Sequence, residues 1–218
     1  MKKKYLRDLS LIENWLLKQS LVDEELKIAL NALRRALEDS PADDGRPREL
    51  LPPPEEIAGD PLAIALFSDG GCRGNPGPGA YAYVIQDQSG AVLAEGVEFE
   101  SYTTNNKMEL SGPIKGLQEI KDLLPSIRKD SLLVKVKVMT DSKYVVDGMK
   151  SWVKGWKARG WKKADNKTPE NLELWQKLDQ VRDSFFDIDW VWVKGHGGHP
   201  QNEYCDQKAN EAMDENIP

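Results

Sequence analysis

Carboxylates placed beside turns are the residues of this chain best suited to chemistry. Asp69 follows the apolar run Leu62-Ala63-Ile64-Ala65-Leu66-Phe67 and Ser68. It precedes a glycine-rich stretch, Gly70-Gly71-Cys72-Arg73-Gly74-Asn75-Pro76-Gly77-Pro78-Gly79. Short apolar runs closed by turn residues read as buried strands, so Asp69 is expected where a central strand ends. The glycines and prolines after it argue against regular structure and for a loop that lets backbone approach a ligand. Thr140-Asp141 repeats the pattern of Ser68-Asp69 after a second strand-like run. Glu109 falls one turn into a predicted helix, and Asp206 falls early in a later one. Taken singly, each is ordinarily a turn aspartate or a solvated surface acid. In open α/β sheets, however, the ligand crevice lies at the carboxyl ends of the parallel strands. Four carboxylates gathered there would repel one another without a cation. An all-oxygen donor set selects Mg²⁺ or Mn²⁺, and no cysteine or histidine spacing in the chain suits zinc.

The elements that must position these residues follow from the hydrophobic pattern. Ala80 to Ile85 reads as a second strand, Gln88-Ser89-Gly90 as its turn, and Ala91 to about Glu100 as a third strand in an antiparallel hairpin. Thr104 is placed to cap a helix from about Asn105 to Leu123. Ser131 to Met139, rich in valine, reads as a fourth strand. Short helices are expected across Lys143 to Trp156, and another from about Pro169 to Ser184. Ile188 to Val193 reads as a fifth strand, and a last helix from Pro200 to about Asp214. Strands separated by helices pair in parallel through right-handed crossovers. The predicted class is α/β: a mixed five-stranded sheet, three parallel strands plus an antiparallel hairpin, with helices on its faces. Within the first long helix, Pro113 cannot donate to the carbonyl of Glu109, which predicts a kink or a widened turn.

Ahead of this domain, residues 1–40 read as a small helical hairpin. Tyr5, Leu9, Ile12 and Leu16 make one apolar stripe, and Leu26, Leu30, Leu33 and Leu37 make another. Residues 41–58, with Pro41, Pro47, Pro52, Pro53 and Pro54, read as a stiff linker, leaving 59–218 as the main domain. Two short helices bury little surface alone, so the hairpin must pack on the main domain, on a copy of itself or on a ligand.

Composition bounds the function. With 218 residues, 39% hydrophobic and 30% charged, the chain suits a globular core plus an appendage. No apolar run approaches the roughly 20 residues needed to span a bilayer, and Arg7 and Asp8 interrupt any signal-peptide core. Two cysteines fit free thiols and a cytoplasmic location. The net charge of −6 argues weakly against nucleic acid, but charge is segregated. Lys143 to Lys167 carries eight cations against two acids, interleaved with Trp152, Trp156 and Trp161. Such a run is usually a solvated face; with tryptophans inside an acidic chain it points to a protrusion that tracks phosphates.

Five ordered blocks together resemble type 1 ribonuclease H of the bacterial form. They are Asp69 to Gly79, Thr103-Thr-Asn-Asn-Lys-Met-Glu109-Leu110, Thr140-Asp141-Ser-Lys-Tyr-Val145, Trp152 to Lys162, and Trp192-Val-Lys-Gly-His196 through Asp206. The resemblance implies an endoribonuclease that cuts the RNA strand of an RNA–DNA hybrid, leaving 3′-hydroxyl and 5′-phosphate ends. It implies that Asp69, Glu109, Asp141 and Asp206 are catalytic carboxylates holding two Mg²⁺ ions, for which Mn²⁺ can substitute. It makes His196, set among Gly195, Gly197 and Gly198, a mobile-loop catalytic histidine that handles protons or helps product leave. It implies substrate contacts from Asn75 and Thr104 to a DNA phosphate, from Asn105 and Asn106 to bases or sugars, and from the backbone around Cys72 to RNA 2′-hydroxyls. Lys143, Trp152, Lys154, Lys157, Arg159 and Lys162 resemble the family's basic handle, with Ala158 standing where relatives commonly carry lysine. His199 is expected to be structural, and Trp175 and Trp192 to be packing residues. A hybrid-binding module of the same fold that does not cut is the alternative; retention of all four carboxylates favours the enzyme. A monomeric catalytic domain is expected, and the N-terminal hairpin lies outside the resemblance.

Overall fold

The computed structural model describes residues 51–125 and 134–217, together with Leu9, Leu26, Leu30 and Arg34, which are helical. The rest of the hairpin expected over 1–40, and of the linker up to residue 50, lies outside the described residues. The chain divides into two compact units, Met1–Leu50 and Leu51–Pro218. Leu51 to Ala58, expected as the end of the linker, therefore belongs to the larger unit. Its single 3₁₀ turn, Glu55–Ile57, buries Ile57 in the core, which is why the composition of this stretch misleads.

The five strands are β1 (Ala63–Cys72), β2 (Gly77–Asp87), β3 (Val92–Thr103), β4 (Lys135–Thr140) and β5 (Asp187–Trp192). Their order is β3-β2-β1-β4-β5. The β1–β2 and β2–β3 pairs are antiparallel, and β1–β4 and β4–β5 are parallel, as the pattern predicts. The helices are α1 (Asn105–Leu123), α2 (Lys143–Asp147), α3 (Val153–Ala158), α4 (Leu172–Arg182) and α5 (Pro200–Asn216). A π-helical turn, Gly148–Trp152, joins α2 to α3.

Alternation along the strands sorts the core into two layers. Ile64, Leu66, Val136 and Val138 meet Leu110, Ile114, Leu117, Trp175 and Leu178 from the α1 and α4 side. Ala63, Ala65, Phe67, Ala80, Ala82 and Val84 meet Cys205, Ala209 and Met213 of α5 on the other. The run of alanines lets α5 lie close against the sheet.

Two expectations fail locally. The strand β1 does not end at Asp69: it continues to Cys72, with Asp69 paired to Ala82 and Gly71 to Ala80. What stops there is the parallel pairing with β4, whose last partners are Phe67 and Met139. The glycines thus extend the hairpin, because glycine permits the close strand approach that a loop would also need. The helix α1 is continuous and α-helical from Asn105 to Leu123 with Pro113 inside, so no widened turn forms. Pro113 and its neighbours Gly112 and Ile114 are buried, and packing on the sheet outweighs the one backbone bond that proline removes.

Gly70 shows how tightly α1 sits on β1. A Cβ there would lie 2.6 Å from the backbone carbon of Met108 and 2.7 Å from its oxygen, next to Glu109. Gly70→Ala is expected to cost about 2 kcal/mol in urea unfolding, because backbone cannot yield as a side-chain tip can.

Candidate active site

The register explains why Asp69 and Asp141 meet. Phe67 pairs with Met139 in the last rung of the parallel ladder, and each aspartate stands two residues beyond that rung. Asp141 follows Thr140, the last residue of β4, and Ser142 caps α2 by accepting from the Val145 N–H at 3.2 Å. Asp69 has the parity of Ala65 and Phe67, which puts it on the side covered by α5, the helix that carries Asp206. Glu109 enters from the first turns of α1.

These acids feel one another. Burial, then Asp141, and further Asp206 and Glu109, push the Asp69 carboxyl up to about 7, against a hydrogen bond from the Gly70 N–H at 2.7 Å. Burial raises Glu109 as well, with Asp141 adding to it, while hydrogen bonds from Ser142 and Asn105 hold it down. Burial also raises Asp141, opposed by a hydrogen bond from Asn202 and by His196. Asp206 accepts from Asn210 Nδ2 at 2.8 Å.

His196 lies at a positive φ of 50° between glycines, its side chain 84% exposed, with Nδ1 at 3.9 Å from Asp206 Oδ2. The loop expected to carry a movable histidine therefore does place it at the rim of the carboxylate group. His199, at the start of α5, instead contacts Glu56 Oε1 at 2.8 Å and packs on Phe67, the structural role expected for it.

The expected substrate residues divide. Cys72 Sγ points back to the Gly74 carbonyl at 3.1 Å, and Asn75 Oδ1 accepts from the Asn105 N–H at 3.4 Å. Asn105 donates its amide to Glu109 at 2.9 Å, so in this structure it orients a carboxylate. Thr104 occupies the N-cap position of α1 without a side-chain capping bond, and Asn106 is half-buried in the first turn. Lys143 and Lys154 are exposed, and Lys143 lies over the Trp192 ring at 4.8 Å. Lys157 is exposed as well, and its ammonium lies 2.6 Å from the buried Asp179. Arg159 Nε donates to the Lys162 carbonyl at 3.3 Å, and Lys162 Nζ to Thr168 at 2.8 Å. Trp152 is exposed at one edge and stacked into Tyr144, Trp156 and Trp175 at the other.

Trp175 is fully buried as expected, but Trp192 is not a packing residue. It is 43% exposed, and its indole N–H donates to the Asp141 carbonyl at 2.9 Å. It stands on the last rung of edge strand β5, and alternation counted from the buried Trp190 would place it on the core face, so its exposure is decided by the end of the strand and not by the pattern. Ser142 and Asn202, which hold Glu109 and Asp141, carry no mark in the sequence, because a buried hydrogen-bond donor leaves no periodic signal.

The donor set is all carboxylate oxygen, partly buried and mutually repelling, and it fits a hard divalent cation. Among the described residues, no three His, Cys, Asp or Glu side chains as they stand are arranged to hold one ion. No described helix is long and apolar enough to cross a membrane.

A mixed sheet of order β3-β2-β1-β4-β5, with acids grouped at the carboxyl end of its parallel strands, defines the ribonuclease H-like class of α/β proteins. The sequence profile described as RNase H matches residues 61–214. The chain belongs to the RNase H family. The ribonuclease H of Tolumonas auensis is 45% identical over 150 residues, 68% of this chain and 88% of that protein. Among solved structures, LC9-RNase H1, a type 1 RNase H with the type 2 active-site motif, is 34% identical with a TM-score of 0.59, over 71% of this chain and 73% of that one. LC11-RNase H1 in complex with an RNA/DNA hybrid is 27% identical with a TM-score of 0.54, over 71% and 99%.

The Asp69 shift sets a pH dependence of stability. Folded and free of cation, the protein keeps a proton on Asp69 up to about pH 7, whereas the unfolded chain releases it near 3.8. This contribution to stability is full below 3.8 and is lost as pH rises through 7. With chelator present, Asp69→Asn is expected to stabilise the protein at pH 8 by on the order of 2 kcal/mol and to leave it little changed at pH 4. Urea titrations at the two pH values read this directly.

Proposed function

We propose that this ribonuclease H hydrolyses the RNA strand of RNA–DNA hybrids at a divalent-cation site formed by Asp69, Glu109, Asp141 and Asp206. The observation that carries the reading is the Asp69 carboxyl, pushed up by burial and by three other carboxylates at the end of the sheet. Partly buried acids that repel one another in this way are suited to hold positive charge. When bound, two Mg²⁺ or Mn²⁺ ions would make the attacking water more acidic and offset charge on the leaving 3′-oxygen.

The chain's own residues supply the rest. Asp69, which interacts with all three other acids, is the ligand suited to be shared. Asn105 and Ser142 hold the Glu109 carboxylate in one orientation. Trp192 and Asn202 do the same for the backbone and side chain of Asp141. His196, exposed on its glycine loop beside Asp206, accepts a proton near the cleaved phosphate or eases product departure. Lys143, Lys154, Arg159 and Lys162 on the exposed side of α2, α3 and the following turn follow the duplex phosphates, with Trp152 offering an apolar face. Asn75 and Thr104, both beside the start of α1, hold a DNA phosphate, and the backbone near Cys72 meets the 2′-hydroxyls that distinguish RNA. Lys157 serves the handle chiefly by bracing it to Asp179.

Cleavage of an end-labelled hybrid tests the reaction. The native chain with Mg²⁺ is expected to cut the RNA strand alone and to stop when EDTA is added. Asp69→Asn and Asp141→Asn are each expected to lower the rate at least about a hundredfold. Binding without cutting by the native chain, in Mg²⁺ or Mn²⁺, would defeat the reading. Separately, Lys154→Ala is expected to weaken hybrid binding and to reduce the slope of log affinity against log salt by roughly one, with Lys157→Ala instead lowering thermal stability. Affinities measured across a salt series distinguish the two lysines.

A further inference from the structure

The first turn of α5 joins the carboxylate site to a segment that precedes the matched region of residues 61–214. Gln201, 2% exposed, donates from Nε2 to the Pro52 carbonyl at 2.7 Å and to Gln86 Oε1 at 3.0 Å. Gln86, fully buried in β2, donates in turn to the Gly90 carbonyl at 2.9 Å and lies 3.5 Å from the same Pro52 oxygen. His199, the N-cap residue, meets Glu56 at 2.8 Å. Ile57 completes the contact by joining the apolar cluster of Phe67, Cys205, Ala209 and Met213.

The same turn bears on the site from its other side. Asn202 hydrogen-bonds Asp141, Glu203 accepts from the Gly198 N–H at 2.9 Å, and Asp206 follows one turn later. The helix start needs such support. His199 makes no side-chain capping bond, and the loop before it holds positive φ at His196 and Gly198. An uncapped helix end after a glycine loop is where fraying begins. A buried amide pair restrains such an end in angle as well as distance, because either partner left unsatisfied is costly.

We propose that Leu51–Ile57 is a strap that fixes the first turn of α5, and that Glu56, Gln201 and His199 are positioning residues for Asn202 on Asp141 and for Asp206. The strap rests on the reading of Asp141 and Asp206 as part of the cation site. It gives the chain a physical connection from its N-terminal side to that site, through a segment that the matched family region does not contain.

The test uses the full chain with Gln201→Leu, Glu56→Ala, Glu56→Gln and Asp141→Asn. Mn²⁺ binding is measured by calorimetry without hybrid, and kcat and KM are measured with it. Gln201→Leu and Glu56→Ala are expected to bind Mn²⁺ roughly tenfold more weakly and to lose kcat at limiting metal, with KM for hybrid unchanged. Glu56→Gln, which can still reach His199, is expected to restore most of the affinity. Unchanged Mn²⁺ affinity with only a lower melting temperature would reduce the strap to a clamp and overturn the proposal, as would a rise in KM alone. Should Gln201→Leu fail to fold, Glu56→Ala at the partly exposed end of the strap decides the matter by itself. Cleavage retained in Asp141→Asn would overturn the site reading beneath the strap. Cleavage lost there, with full Mn²⁺ affinity in the strap variants, would overturn the strap alone.

Discussion

Asp69 cannot ionise freely, because burial and the neighbouring Asp141, Asp206 and Glu109 all oppose charge on it. That opposition arises where the β1–β4 ladder stops and the sheet no longer separates its two helix layers. Each further acid arrives from a different element: β4 ends at one, α1 carries another, α5 a third. A sheet that brought them together without polar support would be penalised several times over. The supports are present as Asn105, Ser142, Asn202 and Asn210, each holding one carboxylate through a hydrogen bond. The site is therefore a balance between repulsion, which a cation relieves, and orientation, which the protein supplies beforehand.

The two faces of the sheet divide the remaining work. On one, α1 and α4 close over large side chains, with Trp175 at the centre and Trp156 and Trp152 stepping outward to the surface. This aromatic ladder ties the basic protrusion to the core, so a charged surface rests on a rigid base. On the other, alanines let α5 approach closely, and its first turn receives the strap from Leu51–Ile57. Rigidity near the acids and freedom at the His196 loop come from the same helix start, pinned on one side and glycine-flanked on the other.

Much of this was legible in the residues. Strand count, parallel and antiparallel pairing, and the helix carrying Glu109 all follow from periodicity and turn chemistry. The failures share a cause. Pro113 lacks a donor of its own, yet with the surrounding helix face buried α1 stays α-helical through it. The glycines after Asp69 were read as loop, yet β2 was available to pair with them. Trp192 was assigned to the core, but an edge strand turned it toward Asp141. In each case a local rule was overruled by a partner distant in the chain.

The sequence by itself determined the α/β class and marked out the four acids, because alternation, capping and turn residues act over a few neighbours. It also determined the family, through five ordered blocks. Only the tertiary structure decided which neighbours each acid has, how far burial raises Asp69, and that Pro52 and Glu56 grip the start of α5. Those properties depend on the ladder's register and on contacts between segments more than a hundred residues apart, and no short window of sequence encodes either.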